Sequence, residues 1–173
     1  TALAFAAAGA STVLADIDVA GLEATAAEVR ALGAQTLEVP TDISDAAACL
    51  AVAPRAVAEF GRLDAVCNVA GAFRFDHATA ITPEVWDRIH GVNVRGPFFI
   101  IQAAMPFLIE SAGAVVNVAS ASAFLGHAYL THYASSKAAL VNLTKSLAME
   151  FINAPVRINA VAPGGINTAM TSG

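Results

Sequence analysis

Charged residues are scarce in this chain. Only 13% of its 173 residues are charged, 57% are hydrophobic, and the formal net charge at pH 7 is -5. The nine basic residues are scattered along the sequence, so there is no basic patch of the kind that binds nucleic acid, and we expect no nucleic-acid partner. The mean hydropathy of +0.63 is high, which favours a deeply buried parallel sheet and a large subunit interface.

Cysteines and long apolar runs are scarce as well. Cys49 and Cys67 lack CxxC spacing, so we expect free, buried thiols in a reducing compartment. The four histidines form no ligand pattern with them, which predicts no metal site. The most apolar stretch, residues 96–109, is interrupted by Gln102 and Pro106 and is too short to span a bilayer. With no signal peptide visible, the sequence predicts a cytoplasmic protein with no membrane partner.

Short β-branched runs alternate with longer alanine-rich runs of helical spacing. This pattern predicts strands over residues 11–17, 36–40, 63–69, 114–119 and 156–161, and helices over 1–8, 19–32, 45–60, 83–110 and 131–153. Ser44 is the expected N-cap of the third helix, and Thr82 followed by Pro83 is the expected start of the fourth. Strands that alternate with helices of this length indicate βαβ units, so we predict an α/β domain with a parallel sheet covered on both faces.

Small or polar residues follow every predicted strand. In open parallel sheets, ligands bind beyond the carboxyl ends of the strands. The residues at those ends are Asp16, Asp42, Asn68, Ala70, Gly71, Ser120, Ser122 and the loop 163–168. Short polar side chains and exposed backbone at successive strand ends suit a long, narrow ligand.

Two rare residue types stand four positions apart near the end of the chain. Tyr133 is one of two tyrosines and Lys137 one of two lysines, and on a helix they share one face. A free phenol is a poor base at neutral pH because it titrates at about pH 10, but a neighbouring ammonium favours its deprotonated form. Chance supplies this spacing in about 2% of such sequences, and less often with Ser120 thirteen positions before Tyr133. The alternative interpretation is an exposed helical pair.

These residues together resemble the motifs of the short-chain dehydrogenase/reductase family, and the resemblance covers almost the whole chain. The matching segments are Asn68-Val69-Ala70-Gly71, with Val69 in place of the family's second Asn, then Asn93, Ser120, Tyr133 with Lys137, and Pro163-Gly164 through Thr168. The resemblance implies a Rossmann-like, doubly wound three-layer fold. It also implies an oxidoreductase that transfers hydride between a nicotinamide cofactor and a secondary alcohol or ketone.

The resemblance assigns a role to each motif residue. Tyr133 would act as the general acid/base, Lys137 would favour the phenolate and hold the ribose, and Ser120 would hydrogen-bond the substrate oxygen. Asn93 would anchor a water that relays protons from Lys137. The implied cofactor-binding residues are Asp16, Ile17, Asp42, Ile43, Asn68, Ala70, Gly71, Tyr133, Lys137, Pro163, Gly164, Ile166 and Thr168.

Asp16 carries the expected cofactor preference. Its carboxylate would accept hydrogen bonds from both adenine-ribose hydroxyls of NAD, whereas the 2′-phosphate of NADP would place like charges close together. The next residues, Ile17 and Asp18, supply no arginine to offset this repulsion. The expected cofactor is therefore NAD, with NADP less favoured.

Two family features have no counterpart in these 173 residues. The glycine-rich phosphate loop is absent, and the sequence stops before the family's last helices and strand, which shape the substrate pocket. We therefore interpret residues 1–173 as a single, incomplete domain whose missing first strand would lie between the strands at 11–17 and 63–69. The candidates for an apolar substrate pocket are Phe73, Phe124, Leu125 and Tyr129.

Other functions remain compatible with the sequence. A non-catalytic dinucleotide sensor or scaffold could share the fold, although such relatives usually lack the tyrosine, lysine or serine. A lyase or epimerase is a second alternative, against which the single-domain plan argues. His127 and His132 flank the catalytic segment without an assigned role. The family's usual subunit contacts, the helices at 84–110 and 131–153, imply a homotetramer or a homodimer.

Overall fold

The computed structural model describes residues 1–166. It contains, in chain order, α1 (Ala2–Ala7), β1 (Thr12–Asp16), α2 (Val19–Ala31), β2 (Thr36–Pro40), α3 (Ala46–Phe60), β3 (Ala65–Asn68), α4 (Pro83–His90), α5 (Gly96–Glu110), β4 (Ala114–Val118), α6 (Thr131–Glu150) and β5 (Arg157–Val161). All the predicted strands and helices are present. The loop residue Thr168 lies outside the described residues.

The strands form two parallel sheets. β1 pairs with β2, and β3, β4 and β5 pair in that order. Within residues 1–166, β1 and β3 each keep an unpaired edge, and residues of both strands line a cavity of about 550 Å³. The predicted α/β class, parallel strands flanked by helices, is confirmed.

Two apolar clusters hold the helices on the strands. The larger one joins α3, α5 and the three-stranded sheet, and its most buried members are Cys49, Ile101, Ala104, Leu108 and Val115. Burying a leucine or isoleucine side chain contributes about 1.5–3 kcal/mol, so this cluster fixes α5 against β3 and β4. The smaller cluster joins β1 and α2. Cys49 and Cys67 are free thiols, and burial raises the pKa of both.

One glycine determines how α5 meets the loop after β2. A Cβ on Gly96 would collide with the backbone carbonyl of Ile43. Because glycine has no Cβ, α5 begins directly against this loop, which carries Asp42 and Ile43.

The N-cap of α3 differs from the prediction. Asp45, not Ser44, is the N-cap, and its carboxylate accepts a hydrogen bond from the Ala47 N–H at 2.9 Å. Ser44 instead donates its backbone N–H and its hydroxyl to Asp42. The predicted start of α4 is confirmed, because Thr82 caps it and Pro83 is its first residue.

The helix predicted over 83–110 is present as one helical run that contains α4 and α5, and the prediction that the apolar stretch 96–109 is too short to span a bilayer did not take this whole run into account. A π-helical turn, Gly91–Arg95, joins the two helices, so residues 96–109 belong to a run of 28 residues, Pro83–Glu110. Within the described part of the chain, this run is long and apolar enough to cross a membrane by length and composition. The indication is weak, because core helices pass the same test and 44% of the apolar window is buried.

Candidate active site

Tyr133 and Lys137 lie on the first turns of α6 and are both buried, with exposed fractions of 9% and 4%. The Lys137 Nζ lies 5.8 Å from the centre of the Tyr133 ring and donates to the Val118 carbonyl at 2.8 Å. Burial lowers the pKa of Lys137 from 10.5 to about 8. An exposed helical pair is therefore excluded, and an ammonium in low-dielectric surroundings stands beside the phenol.

Asn93 lies in the π-helical turn and is fully buried. Its Oδ1 accepts from the Ala72 N–H at 2.8 Å, and its Nδ2 donates to the Ala72 carbonyl and to Ser136 Oγ, both at 2.9 Å. The side chain thus ties the loop after β3 to α6. A π-helical turn inside a longer helix is often found at functional sites.

Gly71 is the point at which the loop after β3 approaches this cluster. A Cβ added to it would lie 3.4 Å from both Asn93 Oδ1 and Lys137 Nζ. The predicted residues Gly71, Asn93 and Lys137 are therefore neighbours, although they are far apart in the sequence.

Ser120 follows β4 and begins the short 3₁₀ turn Ala121–Ala123. Its Oγ accepts from the Ser122 N–H at 3.2 Å, which leaves its hydrogen available for donation. The turn packs against α6, and the Ala121 N–H donates to the Pro163 carbonyl at 2.9 Å. The loop after β5 is thereby fastened to the loop after β4. Beyond Pro163, Gly164 and Ile166 are exposed.

Asn68, at the end of β3, belongs to a buried polar chain. Its Nδ2 donates to Asn117 Oδ1 at 2.8 Å, and Asn117 Nδ2 donates to Thr144 Oγ1 at 2.9 Å. Thr144 in turn donates to the Leu140 carbonyl. These bonds fix β3, β4 and α6 relative to one another.

Asp16 and Ile17 are exposed at the end of β1. The Asp18 N–H donates to Asp16 Oδ1 at 3.0 Å, and the Asp16 carbonyl accepts from the Thr41 N–H. The carboxylate is thus oriented by a local turn and keeps further acceptor positions for a ligand.

Asp42 has a partner that the sequence did not reveal. Hydrogen bonds from Ser44 and Arg88 lower its pKa to about 2, and Arg88 Nη1 lies 2.9 Å from Asp42 Oδ2. Arg88 belongs to α4 and is 46 residues away in sequence. The residues around Arg88 in the sequence do not indicate this contact.

Candidate cofactor-binding residues line the same 550 Å³ cavity. They are Asp16, Ile17, Asp42, Ile43, Asn68, Ala70 and Gly71. Part of the cavity lies between β1 and β3, and Ser120, Tyr133 and Lys137 do not line it. Gly71 lies between this cavity and α6, since it lines the cavity and is a neighbour of Lys137. Among residues 1–166, no group of His, Cys, Asp or Glu side chains could hold a metal ion.

An aromatic wall stands beside Tyr133. The Phe73 ring contacts the Tyr133 ring edge-on, with 4.9 Å between the ring centres, and the Phe75 ring edge-on, with 4.8 Å between the ring centres. Of the other predicted pocket residues, Phe124, Leu125 and Tyr129 are all exposed. Only Phe73 of that predicted set therefore contacts Tyr133 through its ring in the described part of the chain.

Known proteins resemble this chain in sequence over almost its whole length. Galactitol 2-dehydrogenase of Agrobacterium fabrum is 36% identical over 168 residues, which are 96% of this chain and 64% of that protein. A 3-oxoacyl-acyl-carrier-protein reductase of Thermotoga maritima is 34% identical over 99% of this chain and 70% of the relative. The chain thus spans about two thirds of the length of these relatives.

Solved structures also resemble the chain over almost its whole length. NAD⁺-bound xylitol dehydrogenase superposes with a TM-score of 0.91 at 29% identity, covering 96% of this chain and 66% of that one. A short-chain dehydrogenase from Burkholderia cenocepacia in complex with NADP superposes with a TM-score of 0.93 at 32% identity, covering 98% of this chain and 70% of that one. The sequence model of the short chain dehydrogenase family matches residues 1–173. The resemblance seen in the motifs is confirmed, and the chain belongs to the short-chain dehydrogenase family.

Proposed function

We propose that the protein transfers hydride between NAD(H) and a secondary alcohol or ketone, with Tyr133 as the general acid/base. The observation that carries this proposal is the buried Tyr133–Lys137 pair on α6. An ammonium whose pKa burial lowers to about 8 favours the phenolate form of its neighbour, and a phenolate can take the proton of an alcohol.

The residues around the pair support the remaining roles. Within residues 1–166, the Tyr133 hydroxyl makes no hydrogen bond, so it is available to a substrate oxygen. Ser120 retains a hydroxyl hydrogen that can position the same oxygen. The Asn93 Oδ1 keeps a second acceptor position beside Lys137, which suits an anchor for a proton-relay water.

The chain's residues fit a nicotinamide dinucleotide. Gly71 leaves space beside Lys137 that a Cβ would fill, and the residues that follow β1, β2 and β3 line a single cavity. When bound, the dinucleotide supplies the hydride acceptor or donor. Lys137 would hold its ribose, Asp16 and Ile17 its adenosine end, and Asp42 and Ile43 its adenine. Asn68, Ala70, Gly71, Pro163, Gly164, Ile166 and Thr168 would complete the site.

Asp16 supports NAD rather than NADP. Asp16 is one of the residues that line the cavity, and its carboxylate would accept hydrogen bonds from the ribose hydroxyls and repel a 2′-phosphate. Arg88 also lines the cavity, but its guanidinium is paired with Asp42. A positive charge already neutralised by a carboxylate attracts a phosphate less strongly.

We also propose the assembly and the location of the protein. Trp86 on α4, Met149 on α6 and Ile152 just after it are exposed hydrophobic residues, which supports burial of these helices in a homotetramer or a homodimer. A mass measured by light scattering at micromolar concentration should be two or four times that of the chain, and a monomer mass contradicts this. We propose a cytoplasmic protein with no membrane or nucleic-acid partner.

The test is the absorbance of reduced nicotinamide, measured with NAD(H) and a panel of secondary alcohols and ketones. Turnover that needs both dinucleotide and substrate supports the proposal. Dinucleotide binding by calorimetry without turnover on any substrate would instead indicate the sensor alternative and refute the proposed activity.

A further inference from the structure

His132, the neighbour of Tyr133, is a buried residue that the proposed chemistry does not use. Its exposed fraction is 0%, and its Nε2 lies 3.2 Å from Asp76 Oδ2. A carboxylate only accepts hydrogen bonds, so Nε2 carries the hydrogen and donates it. Within residues 1–166, His132 Nδ1 has no hydrogen-bond partner. Asp76 therefore supplies the one hydrogen bond to this buried ring in the described structure.

Asp76 also reaches two other parts of the site. Its Oδ2 lies 2.9 Å from Arg74 Nε, and its backbone N–H donates to the Tyr129 carbonyl at 3.0 Å. Tyr129 has a φ of +64°, a left-handed conformation that non-glycine residues rarely adopt. The hydrogen bond to Asp76 holds the backbone at this unfavourable turn, immediately before α6 begins.

The same loop carries the aromatic ring that contacts Tyr133. Phe73, three residues before Asp76, meets the Tyr133 ring edge-on at 4.9 Å. The loop after β3 is thus attached to the start of α6 at three points: Phe73 on Tyr133, Asp76 on His132, and the Asp76 N–H on Tyr129. Two of these points are made by Asp76, one through its carboxylate and one through its backbone N–H.

We infer that Asp76 and His132 are a positioning pair, which holds the start of α6 and the segment before it in the geometry that the Tyr133 hydroxyl needs. Neither residue touches the reacting atoms. The inference rests on the proposed function for its kinetic consequences, but the contact itself can be tested without turnover.

Three substitutions isolate the contact in the full chain. Asp76→Leu keeps the side-chain size and removes the acceptor, whereas Asp76→Asn keeps an oxygen that can accept from His132 Nε2. His132→Phe keeps a buried ring and removes the donor. Arg74→Met is the matched control, because it removes the exposed partner of Asp76 and leaves the Asp76–His132 contact intact.

The kinetic test separates kcat from KM. We expect Asp76→Leu and His132→Phe each to lower kcat about tenfold or more while the KM for dinucleotide changes by less than about twofold. In Asp76→Asn and Arg74→Met, kcat should stay within about threefold of the parent's value. In the double variant, which combines Asp76→Leu with His132→Phe, kcat should fall no further than in the more affected single variant, because both substitutions break the same contact. Unchanged kcat in Asp76→Leu, or multiplied losses in the double variant, overturns the inference.

Hydrogen exchange gives a readout that does not depend on activity. In Asp76→Leu, amides in residues 70–77 and 124–133 should exchange faster together, while those of β2 and α2 keep the parent's rates. Asp76→Asn should restore the protection of both segments. Should the parent show no turnover with any substrate, the proposed function fails and this experiment still decides the inference. If the two segments respond separately, or exchange does not change, Asp76 does not hold them together.

Discussion

Lys137 should make the protein less stable at neutral pH than an apolar residue would. Burial lowers its pKa from 10.5 to about 8, and at about 1.4 kcal/mol per pH unit this corresponds to about 3 kcal/mol lost when the ammonium is buried. Lys137→Met removes that cost and also the hydrogen bond to the Val118 carbonyl, which offsets it by about 1–2 kcal/mol. We therefore expect a net stabilisation of about 1–2 kcal/mol and a Tm roughly 2–8 °C higher.

The sign of the pH dependence makes this prediction specific. Between about pH 8 and pH 10.5 the unfolded chain binds a proton at Lys137 that the folded chain has released, so the parent gains stability as the pH rises through this window. The gain in free energy of unfolding from Lys137→Met should therefore be largest at about pH 7 and should vanish or reverse at about pH 10.

Urea unfolding at the two pH values measures the effect. Lys145→Met, on the same helix at an exposed position, is the matched control. It should change the free energy of unfolding by less than about 0.5 kcal/mol at both pH values. A less stable Lys137→Met at neutral pH, or a difference that does not change with pH, would refute the account of Lys137 as a buried ammonium.

Two further substitutions test the cofactor end of the site and the packing of α5. The parent should favour NAD over NADP by at least about tenfold in kcat/KM, and Asp16→Ala should narrow that ratio mainly by weakening NAD; a parent that prefers NADP contradicts the role of Asp16. Gly96→Ala places a methyl group against the Ile43 carbonyl and should lower the free energy of unfolding by about 1–3 kcal/mol or more. Gly126→Ala is the control, because a Cβ at Gly126 would meet open space, and urea unfolding measures both variants. Equal stability of Gly96→Ala and Gly126→Ala would show that α5 does not need its close contact with the Ile43 carbonyl.

Local patterns in the sequence were sufficient to predict the fold class. Strand runs such as 114–119 and capped helices such as the one that begins at Thr82 and Pro83 carry their own signals, because periodicity, capping and proline placement act over a few residues. Two predictions needed correction. Asp45 caps α3 because Ser44 is engaged by Asp42, and the stretch 96–109, predicted to be too short to span a bilayer, belongs to the helical run Pro83–Glu110, which passes that test by length and composition.

The candidate site could be predicted only where its residues form spaced motifs. Tyr133 and Lys137 are one helical turn apart, so the sequence alone places them together. The contacts of Arg88 with Asp42 and of Asp76 with His132 join residues 46 and 56 positions apart. Such pairs leave no periodic trace in a single sequence, because they depend on how separate loops and helices meet in three dimensions.

The central claim, that Tyr133 is the general acid/base, is tested most directly by Tyr133→Phe. Phenylalanine retains the ring that packs edge-on against Phe73 and removes only the hydroxyl, so the fold and most dinucleotide contacts should persist. We expect kcat to fall about a hundredfold or more while the Kd for NAD, measured by calorimetry, stays within about threefold of the parent's. Turnover close to the parent's in Tyr133→Phe would contradict the assignment.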